Sequence, residues 1–318
     1  MEQGYSTLAI DRLGIGNSSH ADPINVIQAR AEIEALNSIT TMLRAGTVPG
    51  LGSAFDKVIH VGHSFGSVQS YWLSALYPDN TDGLVLTGYS ANGSFISTTV
   101  ASWDLHSARL NQPLRLGNAS NEGVLSVVGS YPTGDALIRG VQSLLTSAGI
   151  ELTDQEVWDE LATTEVGNLI TGFNATGATP LDYPSGYMVA SDLTATQYVF
   201  LHQGFYDVGL AVICEQTKQP VTMGELLTIG NAPATSSFTG PVLVFTGEKD
   251  QPFCGSDCLT TGTEAESLPA EAAVQFPSAS AFEAYIQPNT GHGLTAHYNA
   301  TAGYEVIQRW LATHGLAA

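Results

Sequence analysis

The stretch KVIHVGHSFGSVQSYWLSALYP, residues 57–78, places a serine between two glycines where an apolar run gives way to a helical pattern. Val58, Ile59 and Val61 read as a short buried strand, and Val68, Tyr71, Trp72, Ala75 and Leu76 recur at helical spacing until Pro78. Ser64 therefore falls at a strand-to-helix junction. In that context the flanking glycines have a steric task, because side chains there would collide in a tight turn that strains and exposes the serine. The adjoining helix N-terminus offers free N–H groups and a favourable dipole to developing negative charge. This is suitable chemistry for acyl transfer; the alternative is a glycine-flanked turn with no chemistry.

Composition narrows the rest. Thirty acidic residues against ten basic ones, three of them lysines, give a net charge of -20. That balance argues against nucleic acid or another polyanion as partner. A 43% hydrophobic content over 318 residues supports a real core, in one large domain or a domain with an insertion. No run approaches the length of a membrane-spanning helix.

Cys254 and Cys258, in PFCGSDCL, are close enough to bridge through a turn. A metal site is the weaker alternative, because no second ligand pair stands at usable spacing. Neither a metal nor a cofactor is expected. Cys214 reads as a buried free thiol, or as one whose partner lies outside this chain. Glycosylation sequons occur at Asn17, Asn92, Asn118, Asn174 and Asn299. Together with the cysteine pair they suggest a secreted protein, although MEQGYSTLAID is no signal peptide and runs straight into a strand.

That first strand is expected to end at Asp11, with turn glycines at 14 and 16. A helix from Asp22-Pro23 to about Arg44 follows, then the 57–78 unit. TDGLVLTGYS, GPVLVFTGEKD and FEAYIQP supply further strands, and GYEVIQRWLATH a last helix. Strands alternating with helices imply a parallel sheet covered on both faces. Between Ser90 and about Phe238 the alternation lapses into short amphipathic helical stretches: DALIRGVQSLLTSAG, TDQEVWDELATTEVGNLI and SDLTATQYVFLHQGFYDVGLAVI. The expected organisation is an α/β core at 1–89 and 239–318 with a helical cap at 90–238.

This order resembles the α/β-hydrolase superfamily, and more closely a group of secreted fungal members. The resemblance rests on DRLGIGNSS, GHSFG, GEKD and TGHG, at the exits of what would be the fourth, fifth, seventh and eighth strands of that fold. It implies a triad of Ser64, Asp250 and His292. A serine hydroxyl needs a base during attack, an imidazole can serve near neutral pH, and a carboxylate fixes the imidazole's tautomer. His297 is the second candidate base, and Glu248 the main rival acid. Asp257 stands too near the cysteines, and Asp207 in the cap. His63 is a candidate pocket residue; His20, His60, His106, His202 and His314 are expected to be structural or solvated.

The resemblance further implies that the Phe65 backbone N–H is one oxyanion donor. The second belongs to a loop preceding DRLGIGNSS and cannot be named. It also implies an N-terminally truncated sheet, in which the strand near 5–11 either pairs directly with that near 57–62 or leaves a gap beside it. The expected activity is hydrolysis of a small or medium apolar ester through an acyl-enzyme. Cap aromatics Trp103, Trp158, Tyr198, Phe200, Phe205 and Tyr206 are compatible with an apolar group, or are simply cap core. The rival reading is a non-catalytic remnant that binds a small molecule or is inactive.

Overall fold

The computed structural model describes residues 4–112, 115–117 and 181–317, with isolated positions 146, 149, 151, 153 and 156. In chain order, helix α1 spans Ala29–Ala45, strand β1 Ile59–His63, α2 Phe65–Leu76 and β2 Gly83–Thr87. After these come α3 (Ile96–Ser102), β3 (His106–Ser107), α4 (Ala108–Asn111) and β4 (Tyr187–Val189). Next are α5 (Leu193–Phe200), α6 (Val208–Thr217), β5 (Val221–Thr222) and α7 (Met223–Thr228). The chain closes with β6 (Pro241–Lys249), α8 (Gln251–Cys254), α9 (Leu268–Glu271), β7 (Ala281–Gly291) and α10 (Ala300–Thr313).

Strands β1, β2, β6 and β7 form one parallel sheet in that order, with Ile59 opposite Gly83, Leu84 opposite Val242 and Val242 opposite Phe282. All five residues of β2 are buried, as a strand covered on both faces requires. Trp310 and Leu311 of α10 pack on Val85, Leu243 and Phe245. Tyr71 of α2 belongs to a cluster with Leu84, Leu86, Val242 and Val244, whose side chains alternate with that first set along β2 and β6. Ile33 of α1 in turn packs with Trp72 and Leu73. The core is thus three layers, with helices above and below the sheet.

Several expectations need correction. Residues 5–12 form no strand, and residues 6–11 are exposed. Among the described residues β1 pairs only with β2, so its outer edge stays open; the segment makes no ladder with it, and its Asp11 and Arg12 carbonyls accept instead from the Ser18 hydroxyl and the Ile15 N–H. Of the two outcomes expected beside β1, the gap is the one observed. Val61, placed in the core by its apolar neighbours, is accordingly 61% exposed. The helix expected from Asp22 begins at Ala29 instead. The Asp22 carboxylate accepts the Ile24 and Asn25 N–H groups at 2.9 and 2.8 Å, closing a turn rather than capping a helix.

The segment between the core strands is not purely helical. Besides α3 to α7 it contains a small antiparallel sheet, β3–β4–β5, with His106 opposite Val189 and Tyr187 opposite Thr222. Tyr183, Tyr187, Ala108 and Leu116 form its own buried cluster. The stretches at 135–149 and 153–170 fall almost wholly outside the described residues. Cys214 is a free thiol but exposed, because α6 turns Ala211 and Glu215 inward.

Candidate active site

Ser64 sits on the expected turn between β1 and α2 with φ 55° and ψ -119°, a region that non-glycine residues rarely enter. Gly62 permits it: a Cβ there would lie 2.3 Å from the Gly66 carbonyl oxygen. Gly66 itself has no such need, since a Cβ would meet nothing within 4 Å. The steric reading of the two glycines therefore holds for the first alone. Thr87, at the end of β2, braces the turn. Its carbonyl accepts the Ser64 N–H at 2.9 Å and the Ser67 hydroxyl at 2.7 Å, and its hydroxyl donates to the Gly62 carbonyl at 2.8 Å.

Phe65 opens α2, so its N–H has no acceptor within the helix. Its ring lies 5.4 Å from the guanidinium of Arg12, the arginine of DRLG. Arg12 in turn pairs with two carboxylates, Glu32 of α1 at 2.9 Å and Glu225 of α7. Gln69 of α2 donates to the same Glu32. No local pattern reveals this group, because its members are scattered along the chain.

Asp250 directly follows β6 and caps α8, where Oδ1 accepts the Phe253 N–H at 2.9 Å. Oδ2 accepts the Thr246 hydroxyl at 2.5 Å and His292 Nδ1–H at 2.7 Å. Both Asp250 and His292 are 0% exposed. Burial alone would raise the Asp250 pKa; the His292 partner, with Thr246 and the Phe253 N–H, holds it below the usual carboxylate value. The Cys254–Cys258 disulfide closes the turn directly beyond α8, with Cα atoms 4.8 Å apart.

With Nδ1 committed to Asp250, the acceptor nitrogen of His292 is Nε2. That atom is buried and has no hydrogen-bond partner. Around the ring stand His63 at 4.9 Å, Phe200 at 5.4 Å and Phe253 at 5.8 Å between centroids. Phe200 in turn stacks on Trp103. Asp250 and His292 are thus joined and face the residue preceding Ser64, but no hydrogen bond links the Ser64 hydroxyl to Nε2 in this structure.

His63 meets Thr87 Oγ1 through Nδ1 at 3.1 Å. Crowding around the ring, then the neighbouring His292, lowers its pKa, although the side chain keeps an open edge that tempers the effect. His60 is buried between the hydroxyls of Thr40 and Thr81. His297 is excluded as the base, because Nε2 accepts two backbone N–H groups and Nδ1 donates to the Gly293 carbonyl.

Glu248 instead pairs with Lys249 at 3.0 Å and accepts the Asn289 N–H. Asp257 caps its own turn through Leu259 and Thr260, and Asp207 caps α6. Among the described residues no group of His, Cys, Asp or Glu is placed to hold a metal ion. No described helix is long and apolar enough to cross a membrane.

Sequence reasoning did not single out Thr246, Thr87 or Phe253. The run Asp250-Gln251-Pro252 was a signal for the last of these, since aspartate followed closely by proline marks a helix start that binds the N–H three residues on. Asn17 is exposed, whereas the Asn299 amide already donates to the Pro288 carbonyl at 2.8 Å. Tyr198 and Phe205 are exposed. Asn118, Asn174 and Trp158 lie outside the described residues.

No protein-family model matches the chain, and no curated protein does. Solved structures do. A methylesterase from Arabidopsis is 10% identical with a TM-score of 0.47, over 98% of this chain and 89% of its own. A thermophilic esterase from Thermogutta terrifontis, malate bound, is 14% identical with a TM-score of 0.42, over 96% and 79%. A monoacylglycerol lipase from Paleococcus ferrophilus is 12% identical with a TM-score of 0.37, over 94% and 78%. On its own parallel strand order, the strained Ser64 turn after β1, Asp250 after β6 and His292 after β7, the chain has the α/β-hydrolase fold.

Proposed function

We propose that the protein is a serine hydrolase that cleaves a small or medium apolar carboxylic ester. The observation that carries this reading is the buried Asp250–His292 pair beside a strained serine, with Nε2 the one imidazole nitrogen left unbonded. Ser64 Oγ attacks the ester carbonyl carbon while its proton passes to His292 Nε2. The carbonyl π pair moves to oxygen, next to the Phe65 N–H. Collapse of the tetrahedral species breaks the bond to the alkoxy oxygen, which takes the proton from Nε2, and leaves an ester on Ser64. Water then attacks that ester with His292 again as base, releasing the acid and restoring the serine. Asp250 stays ionised and stabilises the imidazolium.

An apolar acyl or aryl group is supported by Phe200 and Phe253 beside the base and by Trp103 stacked on Phe200. The 90–238 segment would select the substrate. The disulfide and the exposed Asn17 support a secreted, glycosylated protein.

The second reading, a binding protein without turnover, is favoured by one observation: His292 is fully enclosed and unbonded to Ser64. Turnover of a short p-nitrophenyl ester separates the two. Hydrolysis that falls by about 10⁴-fold or more in both Ser64→Ala and His292→Ala supports the hydrolase. Absence of hydrolysis in the unaltered protein supports the binding protein.

A further inference from the structure

The loop bearing His292 is stitched to the cap chain around Phe200–Asp207. The Gly293 N–H donates to the Phe200 carbonyl at 2.7 Å, and the Tyr298 N–H to the Phe205 carbonyl at 3.0 Å. The two chains run so close that a Cβ on Gly291 would lie 2.6 Å from the Phe200 oxygen. At the centre of the seam is one side chain, His297, 3% exposed. Its Nε2 accepts the Gly291 N–H from the His292 loop and the His202 N–H from the cap, both at 3.0 Å. Its Nδ1 donates to the Gly293 carbonyl at 2.9 Å, which fixes the tautomer.

We infer that His297 is a positioning residue: its neutral imidazole locks Gly291 and Gly293, on either side of His292, to the cap, so that the proposed base and the cap are held as one unit. The inference rests on His292 being the base.

Every polar atom of the ring is used, and each bond serves this seam. Nε2 can accept two N–H groups only while it carries no proton, and burial, partly opposed by the Gly293 carbonyl and aided by nearby His202, lowers the His297 pKa. Removing the ring leaves two backbone donors without their acceptor, a buried one on the His292 loop and a part-buried one on the cap segment. The loop then loses the contact that fixes its spacing from the cap. Reacting groups displaced by about 1 Å can lose about a hundredfold in rate.

Gln and Asn separate the two ends of the ring. Glutamine reaches with its carbonyl oxygen to the place of Nε2 and can accept both N–H groups. Asparagine reaches only to the place of Nδ1 and restores neither. Two readouts are taken on the full chain labelled with ¹⁵N-histidine: the far-downfield proton on His292 Nδ1, bonded to Asp250, and kcat and KM for a p-nitrophenyl ester. In His297→Ala and His297→Asn the resonance broadens or vanishes and kcat falls about 10- to 100-fold with KM little changed. In His297→Gln both return most of the way.

A His297→Ala or His297→Asn protein that keeps the resonance and kcat overturns the inference. So does a His297→Gln protein no better than the alanine variant in either readout or in folding. If the unaltered protein hydrolyses no ester, the hydrolase reading fails by itself, and the resonance still decides whether His297 positions His292.

Discussion

Gly88 and His292 are packed so closely that a methyl group on Gly88 would lie 2.8 Å from the imidazole Cε1. The same methyl would meet His63 Cε1 at 2.8 Å, and Gly88 has φ +56°, a conformation costly for any other residue. Gly88→Ala is therefore expected to displace both imidazoles at once. Turnover should fall by about a hundredfold, beyond what an unfolding cost of about 1–3 kcal/mol would remove in a protein still folded. Paired denaturation and ester assays on the variant check this; a stable variant with unchanged kcat would mean the rings are not held here.

Glu32 shares Arg12 with Glu225, and Gln69 also donates to it. Burial, opposed by Arg12 and Gln69, pushes its carboxyl up to about 7. A carboxyl with a folded pKa above its unfolded one favours folding most below the unfolded value, and loses that contribution progressively as pH rises from there through the folded value. Glu32→Gln removes the titration. The unaltered protein should therefore lose stability relative to Glu32→Gln as pH rises from 4.5 to about 7, and level off above that. Urea midpoints across that range measure the difference, and parallel curves would place the Glu32 pKa at an ordinary value.

Cys214 is exposed while Cys254 and Cys258 are bonded and buried. One of the three cysteines should react with a thiol reagent in the native, unreduced protein, and peptide mapping should place it at Cys214. The bridge closes a short loop, so its contribution is the placement of the turn after Asp250 more than global stability. Three reactive thiols would remove it.

Strand β1 is an edge among the described residues, and Val61 projects from it into solvent. An open apolar edge invites pairing with another chain. Val61→Lys should lower self-association, measured as the concentration at which light scattering departs from that of a monomer. An unchanged or higher tendency to associate would show that this edge is not the contact.

The elements legible in the sequence were those whose signal is local. The Ser64 turn, the buried strands of β2 and β6 and the long helix α10 each carry their own period or punctuation. Asp22 misled because its carboxylate closes a turn with the same sequence signature as a helix start. Val61 misled because apolar neighbours cannot tell whether a face is covered. The union of His292 with Asp250 came from strand-exit position alone, whereas Gly88 and the Arg12 group depend on approach between distant segments; Thr246 is local to Asp250, four residues before it, but nothing marks which nearby hydroxyl the carboxylate takes. His297 looked like a rival base for the same reason: a buried histidine with two backbone donors on one nitrogen has no sequence mark.

The central claim is that Ser64 is an activated nucleophile served by His292 and Asp250. A fluorophosphonate probe, with the modified peptide mapped by mass spectrometry, tests it most directly. Rapid labelling of Ser64 alone, slowed severely in His292→Ala and absent in Ser64→Ala, is the predicted result. Labelling of the Ser64→Ala protein at the native rate, or no labelling of the native protein, would contradict it.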